Sequence, residues 1–456
     1  MKKWVRKTGI ILFWLCLWQI AAVTTDNHIL LVGPVQVVSA LLENITRADF
    51  LKIVFCSLGR IGLGFFLALF CGLILGAASY RFPVAEEILA PVVETLKAIP
   101  VASFVVLLLI WFGASKLSFF ISFLIVFPNV YVNTIAGLKS TDKKLLEMAE
   151  VLGMSGYNRI FYIYRPALLP YLKSCLKISL GMSWKSGVAA EVIGLPDFSL
   201  GEQLYMSKIY LDTAGLFAWT LLVIVLSFLF EKLVLYFLDC FANWKPFPKA
   251  VKATGGRQDI VAHQVHKGYG EQMVITDFTR TMKQGGRYLL MAPSGAGKTT
   301  LLRLLTGLET PDGGQITGNT LPVGMVFQED RVCEDYDTIT NVMLTTAKHK
   351  EEKKDRYLER ISKEAAQILP RESLKKPVRE LSGGMRRRVS VLRAMNSTAG
   401  WVVLDEPFAG LDEASREQTA RYINKRLAGR ILLVTSHREE DAQLLQAERI
   451  SLTENP

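Results

Sequence analysis

Ala292-Pro293-Ser294-Gly295-Ala296-Gly297-Lys298-Thr299-Thr300 follows the apolar run Tyr288-Leu289-Leu290-Met291 and precedes a helical pattern that opens with Leu301-Leu302. The order is strand, glycine-rich loop, helix. The backbone N–H groups of such a loop and the N-terminus of its helix wrap a polyphosphate, Lys298 reaches the outer phosphates, and the Thr299 hydroxyl ligates magnesium. Ser294, Gly295, Ala296, Gly297 and Thr300 complete the expected cradle, so the stretch implies binding of a nucleoside triphosphate. The sequence departs from G-x-x-x-x-G-K-[ST] at the first position, where Ala292 stands. A left-handed backbone there would cost the methyl group about 1–2 kcal/mol. The glycines nearest the phosphates, Gly295 and Gly297, are present.

Working outward, the 456 residues leave room for two or three domains. Half are hydrophobic and the mean hydropathy is +0.27, high for a soluble chain, with the apolar excess in the first half. A net charge of +11 is compatible with nucleic acid, but basic residues also collect in the cytoplasmic loops of membrane proteins, and no nucleic acid is expected here. The six cysteines are scattered without a C-x-x-C pair, so neither a disulfide framework nor a zinc site is implied.

The first half reads as an α-helical polytopic membrane domain over 1–238. Lys2, Lys3, Arg6 and Lys7 precede an apolar run from Gly9 to Val23 that lacks a convincing small-residue cleavage site, which favours an uncleaved first span with a cytoplasmic N-terminus. Further spans are expected at 53–79, 86–112, 117–136, 172–194 and 214–238, each near the roughly 20 residues a bilayer core requires. That makes about six, although Glu86, Glu87, Glu94 and Lys97 crowd the third. Loop charge tests the orientation. The segment 137–171 holds Lys139, Lys143, Lys144, Arg159 and Arg165 and should be cytoplasmic; 195–213 holds Asp197, Glu202 and Asp212 against Lys208 and should be external. Gly72 and Gly76 form a small-xxx-small pair that either lets helices approach closely or is an ordinary tolerated pair.

Lys185, in the fifth expected span, sits near mid-membrane, where a lysine costs roughly 2.5–3.5 kcal/mol. Two readings stand side by side. Lys185 lines the pathway and favours an anionic solute, or it pairs with Glu191 or with a carboxylate on another helix; six residues are about 600° of helix, so Lys185 and Glu191 do not share a face. Residues 239–257, with two prolines and two glycines and no apolar period, read as a linker.

Residues 258–456 alternate strands and helices, the mark of an α/β domain. The run Val402-Val403-Leu404-Asp405-Glu406 reads as a buried strand ending in a magnesium carboxylate, Asp405, followed by a base or positioner for the hydrolytic water, Glu406. Leu381-Ser382-Gly383-Gly384-Met385 opens a second helix with another phosphate-binding nest.

Taken together these motifs resemble the ABC ATPases. Leu381 to Met385 is similar to the signature L-S-G-G-Q with Met385 for glutamine. Val326-Phe327-Gln328 resembles the Q-loop, whose Gln328 would reach magnesium and the attacking water. Ala409-Gly410-Leu411-Asp412 resembles the D-loop, His437 the switch histidine near the γ-phosphate, and Tyr269 an aromatic that stacks on adenine. Glu329-Asp330-Arg331 resembles nitrate, sulfonate and taurine importer ATPases in particular. In the membrane half, Glu147, Ala149, Gly153, Ile163 and Pro166 resemble the EAA loop of binding-protein-dependent importer permeases, E-A-A, three residues, G, nine residues, I-x-L-P, with Met148 and Arg165 as departures. In that family a short helix of this loop docks on the ATPase.

The resemblance covers nearly the whole chain and implies an importer permease fused ahead of its own P-loop ABC ATPase domain, with ATP and Mg2+ as cofactors. It implies a homodimer, because each chain holds one permease and one ATPase and the nest of Ser382, Gly383 and Gly384 serves the γ-phosphate bound by the other copy; Asp412 is expected among the nucleotide-binding residues. It also implies an extracytoplasmic solute-binding protein as partner, and a multi-pass place in a bacterial plasma membrane with the ATPase in the cytoplasm. An ABC exporter, or a membrane ABC regulator that moves no solute, are the competing readings.

Overall fold

Proline and glycine positions decide where the helices of the first half break. The computed structural model describes every residue except 1, 26, 28, 252–255, 257, 294, 350–351 and 453–456. Its helices run α1 Lys2–Thr25, α2 Pro34–Ile45, α3 Phe50–Arg81, α4 Pro83–Ala98, α5 Val101–Phe112 and α6 Ala114–Lys139. After a loop follow α7 Lys143–Val151, α8 Gly156–Arg159, a π turn at Ile160–Tyr164, α9 Arg165–Gly194, α10 Leu200–Ile209 and α11 Thr213–Asn243. Contacts divide the chain into two compact units: 1–140 with 167–244, and 141–166 with 245–456.

In the first unit α3 packs along α6, and the glycines of α3 are why it can. A Cβ at Gly64 would meet the Phe119 carbonyl oxygen at 2.2 Å, and at Gly72 and Gly76 it would meet Val130 and Thr134 at 2.8 Å. Close approach of backbones is how membrane helices gain dispersion energy without a hydrophobic drive. Among the described residues four helices, α1, α3, α6 and α11, are long and apolar enough to cross a bilayer. The third expected span is two helices, α4 and α5, bent by 104°. Pro100 lacks an N–H for the helix ladder and pushes Ile99 to an extended ψ of 130°, so the helix cannot run on. The fifth expected span forms as part of the 30-residue α9, which is less apolar because Lys173, Lys177, Lys185 and Glu191 lie along it.

In the second unit, strands β1 Ile260–Tyr269, β2 Gln272–Met282 and β4 Gly313–Thr317 form an antiparallel sheet in the order β2-β1-β4. A parallel sheet of order β5-β6-β7-β3-β8 carries β3 Arg287–Leu290, β5 Gly324–Val326, β6 Trp401–Asp405, β7 Ile431–Thr435 and β8 Glu448–Ile450. Every residue of β6 and β7 is buried, as continuous apolar strands covered on both faces must be. The helices are α12 Lys298–Leu305, α13 Thr338–Met343, α14 Lys354–Ala365, α15 Gly383–Met395, α16 Glu413–Arg426 and α17 Glu440–Leu445.

Candidate functional site

The loop between β3 and α12 lies at the carboxyl edge of the parallel sheet, where helix N-termini and strand ends converge. Gly295 and Gly297 have φ of +80° and +96°. At Gly297 glycine is needed twice, because a Cβ there would also stand 2.8 Å from Val274 Cγ1. Ala292 is not among the residues of positive φ, so its methyl group meets none of the left-handed cost. Ala296 N–H donates to the Pro293 carbonyl at 3.3 Å, and Ser294 lies outside the described residues. Lys298 is 9% exposed, its Nζ donating to the carbonyls of Ala292 at 2.6 Å and Pro293 at 3.1 Å. Such a lysine is held by weak neutral acceptors that a phosphate oxygen outcompetes.

One cavity of about 410 Å³ gathers Gly295, Gly297, Lys298, Thr299 and Thr300 with Gln328, Asp405, Glu406 and His437. Asp405 ends β6, is 4% exposed and accepts from Thr435 Oγ1 at 2.6 Å; burial raises its carboxyl above the ordinary range. Glu406 follows at φ +49°, a strained value for a non-glycine residue. Its N–H donates to the Thr435 carbonyl at 3.2 Å, and its Oε1 lies 2.9 Å from His437 Nε2. The Thr299 hydroxyl and the Asp405 carboxylate offer hard oxygen donors to the same space, which suits Mg2+ with phosphate and water as its other ligands.

The remaining expected residues lie elsewhere. Ser382 caps α15, its Oγ accepting from Met385 N–H at 3.4 Å; a Cβ on Gly384 would stand 2.9 Å from the Gly410 carbonyl, and Gly383 has open space around it. Asp412 caps α16 by accepting from Ser415 N–H at 2.8 Å. None of these four lines the cavity that holds Lys298. Tyr269 ends β1 half-exposed, with its hydroxyl donating to Glu309 Oε1 at 2.6 Å, and is likewise not among the lining residues.

A second cluster forms around the loop 141–166. Asp142 caps α7 by accepting from Lys144 N–H at 2.8 Å. Met148, Ala149, Val151 and Leu152 are 0% exposed and share one apolar core with Val403 of β6 and Leu433 of β7. Val323 N–H donates to the Val151 carbonyl at 2.8 Å. Gly153 turns the chain at φ +65°, where a Cβ would stand 2.9 Å from Pro322. Glu147 accepts from Arg331 Nη1 at 2.7 Å and from Arg303 of α12 at 3.3 and 3.4 Å. Burial pulls its carboxyl upward, but the two guanidinium groups outweigh that and hold it below the ordinary range. Lys144 pairs with Glu329.

In the first unit Glu191 is fully buried. It accepts from Ser57 Oγ at 2.7 Å, from Ser118 Oγ at 3.4 Å and from the Gly201 N–H at 3.4 Å, with Arg60 at 3.7 Å. Lys185 is exposed on α9.

Two known families divide the chain between them. The family described as "ABC transporter" matches residues 275–409, and the one described as "Binding-protein-dependent transport system inner membrane component" matches residues 68–238. The chain joins a permease domain of the second family to an ABC ATPase domain of the first. The ATPase domain is 34% identical over 202 residues to the Nod factor export ATP-binding protein I of Cupriavidus pinatubonensis, covering 40% of this chain and 59% of that one. It is 34% identical over 175 residues to the Fe(3+) ions import ATP-binding protein FbpC 2 of Pectobacterium atrosepticum, covering 35% and 50%. The permease domain is 29% identical over 220 residues to the taurine transport system permease protein TauC of Escherichia coli, covering 47% and 80%. The transporter chain thus spans about 59% of the length of the first of these relatives.

Several contacts in this chain carry no signal in the motifs, even where the residue, as Arg331 in Glu329-Asp330-Arg331, stands in one. Arg303 and Arg331, which hold Glu147, stand 156 and 184 residues from it. Arg387 of α15 donates to the carbonyls of Phe327 at 2.5 Å and Gln328 at 2.6 Å, tying the helix that opens at the second nest to the backbone of Gln328. From sequence, Arg386-Arg387-Arg388 reads only as the continuation of the helix that opens at Ser382, with no pointer to Gln328.

Proposed function

We propose that this chain is half of a homodimeric importer that uses ATP to take up a small polar, anionic solute handed over by an extracytoplasmic binding protein. The observation that carries the reading is the loop 141–166, which leaves the permease half and is built into the apolar core of the ATPase domain. A docking loop of this kind fits a permease driven by its cassette, and the likeness to a taurine permease supports a solute of the sulfonate class.

In this reading Gly295, Ala296, Gly297, Lys298, Thr299 and Thr300, with Ser294, hold the phosphates of ATP, and Thr299, Asp405 and Gln328 hold Mg2+. Bound magnesium neutralises phosphate charge. Glu406, strained toward the cavity and steadied by His437, positions the hydrolytic water. Ser382, Gly383, Gly384 and Asp412 are the groups offered to the nucleotide of the second copy, in keeping with their place outside this chain's own cavity. Tyr269 is the adenine-facing aromatic once Glu309 releases its hydroxyl. Glu147, Ala149 and Gly153 transmit the movement, with the ATPase on the cytoplasmic side of a bacterial plasma membrane. Lys185 is the pathway residue that meets the anion, while Glu191 secures the start of α10 beside that pathway.

The test is ATP turnover of the full chain in liposomes, with and without candidate binding proteins loaded with small sulfonates. Stimulation by one loaded protein is expected. Turnover that ignores all of them but rises with lipophilic compounds added alone would replace the importer with an exporter.

A further inference from the structure

The linker that joins the two halves is gripped rather than free. Its sequence Lys245-Pro246-Phe247-Pro248-Lys249 has two prolines, which remove two N–H donors and hold the backbone extended at little entropic cost. Both prolines are buried. On one side, Asn158 of α8, itself 0% exposed, uses both ends of its amide: Nδ2 donates to the Lys249 carbonyl at 2.9 Å and Oδ1 accepts from the Lys249 N–H at 2.9 Å. The same Nδ2 donates to the Leu344 carbonyl beyond α13 at 3.2 Å. The Tyr162 hydroxyl donates to the Pro246 carbonyl. On the other side, the Val251 N–H donates to the Thr346 carbonyl at 3.3 Å, and the Phe247 ring meets Tyr357 of α14 edge-on at 6.3 Å with Lys354 Nζ 4.5 Å above it.

A side-chain amide bonded to both groups of one backbone residue mimics a strand pairing, and it does so here in a buried place where an unmade bond is costly. Asn158 therefore fastens three chain segments at one point: the loop, the linker and the end of α13. We propose that residues 245–251 are a strap, a second docking element continuous with the loop 141–166, and that Asn158 is the positioning residue that locks loop and strap together on the ATPase domain. The strap makes the loop and the α13–α14 region move as one body, so that the ATPase is held by two adjacent attachments and not by a tether. The assignment rests on the reading of 141–166 as a docking loop and is independent of the solute.

The experiment is to insert a specific protease site between Gly255 and Gly256 of the full-length chain, cleave it in detergent micelles, and follow whether the ATPase fragment stays with the membrane fragment on gel filtration. Hydrogen exchange at Lys249 and Val251 is read in the same samples. With the strap intact the fragments are expected to stay together. Asn158→Ala is expected to raise exchange at Lys249 at least tenfold and weaken retention at least tenfold, with Asn158→Asp, which keeps the acceptor and loses the donor, in between. Val251→Pro, which changes only the linker and removes its bond to Thr346, is expected to weaken retention severalfold, and it keeps the test open if Asn158→Ala does not fold. Equal retention by all four chains would overturn the strap and leave the docking loop standing. Release of the ATPase fragment even from the chain with the intact strap would overturn both.

Discussion

The cavity around Lys298 and the loop 141–166 belong to one compact unit and are built in opposite ways. The cavity keeps its working groups poorly satisfied: Lys298 rests on two carbonyls, Glu406 is strained at φ +49°, and His437 stays exposed beside it. The loop buries four apolar side chains completely, gives the Glu147 carboxylate two guanidinium partners, and places its positive φ on a glycine. Groups that exchange a charged ligand on every cycle must not be too well off without it, whereas an attachment that lasts the cycle benefits from each added contact.

The comparison breaks most visibly at Glu406. Glu406→Gln keeps the shape and removes the base, so ATP turnover should fall about 10²–10⁴-fold while nucleotide binding persists; turnover within a few-fold of the parent would take Glu406 out of that role. At the loop, Glu147→Gln should destabilise docking by about 1–2 kcal/mol after discounting for partial exposure, read as faster exchange at Val323. Because its carboxyl is held below 4.5, the stabilisation should be constant above that pH. The gap in melting temperature between parent and variant should then close as pH falls through the depressed native value. A gap that widened with acid would deny the pairing with Arg303 and Arg331. Gly153→Ala should cost about 1–2 kcal/mol through its left-handed backbone and its closeness to Pro322, measured as a lower Tm. Ala292→Gly should be the mildest. With no left-handed backbone to relieve, ATP affinity should change less than about twofold and stability drop by about 0.5–1 kcal/mol through the freer unfolded chain.

Much of the cavity could be read in advance because phosphate chemistry asks for contiguous residues. A loop between Leu290 and Leu301 must carry its glycines and lysine in order, and β6 must end on Asp405 and Glu406. The helix break at Pro100 was hidden by composition: 86–112 is long and apolar enough for one span, and a proline is tolerated in membrane helices. Only the bend of 104° between α4 and α5 separates the two outcomes. The contacts of the linker were hidden for a related reason. Prolines and glycines with no apolar period describe a segment without a helix or strand of its own, and they are silent on whether another element grips it.

By itself, then, the sequence determined the order of the halves, the glycine-rich loop before α12, the strand that ends in Asp405 and Glu406, and the Glu147 to Gly153 pattern within the loop 141–166, since each depends on neighbours within a turn or a strand. Tertiary structure alone decided which polar groups meet: Arg303 and Arg331 on Glu147, Arg387 on the carbonyl of Gln328, Arg60 and two serines around Glu191, and the Asn158 amide on the Lys249 backbone. Those partners come from elements far apart along the chain. Their pairing follows from how sheets and helices pack, and packing leaves no period or spacing in a sequence for such contacts to be read from.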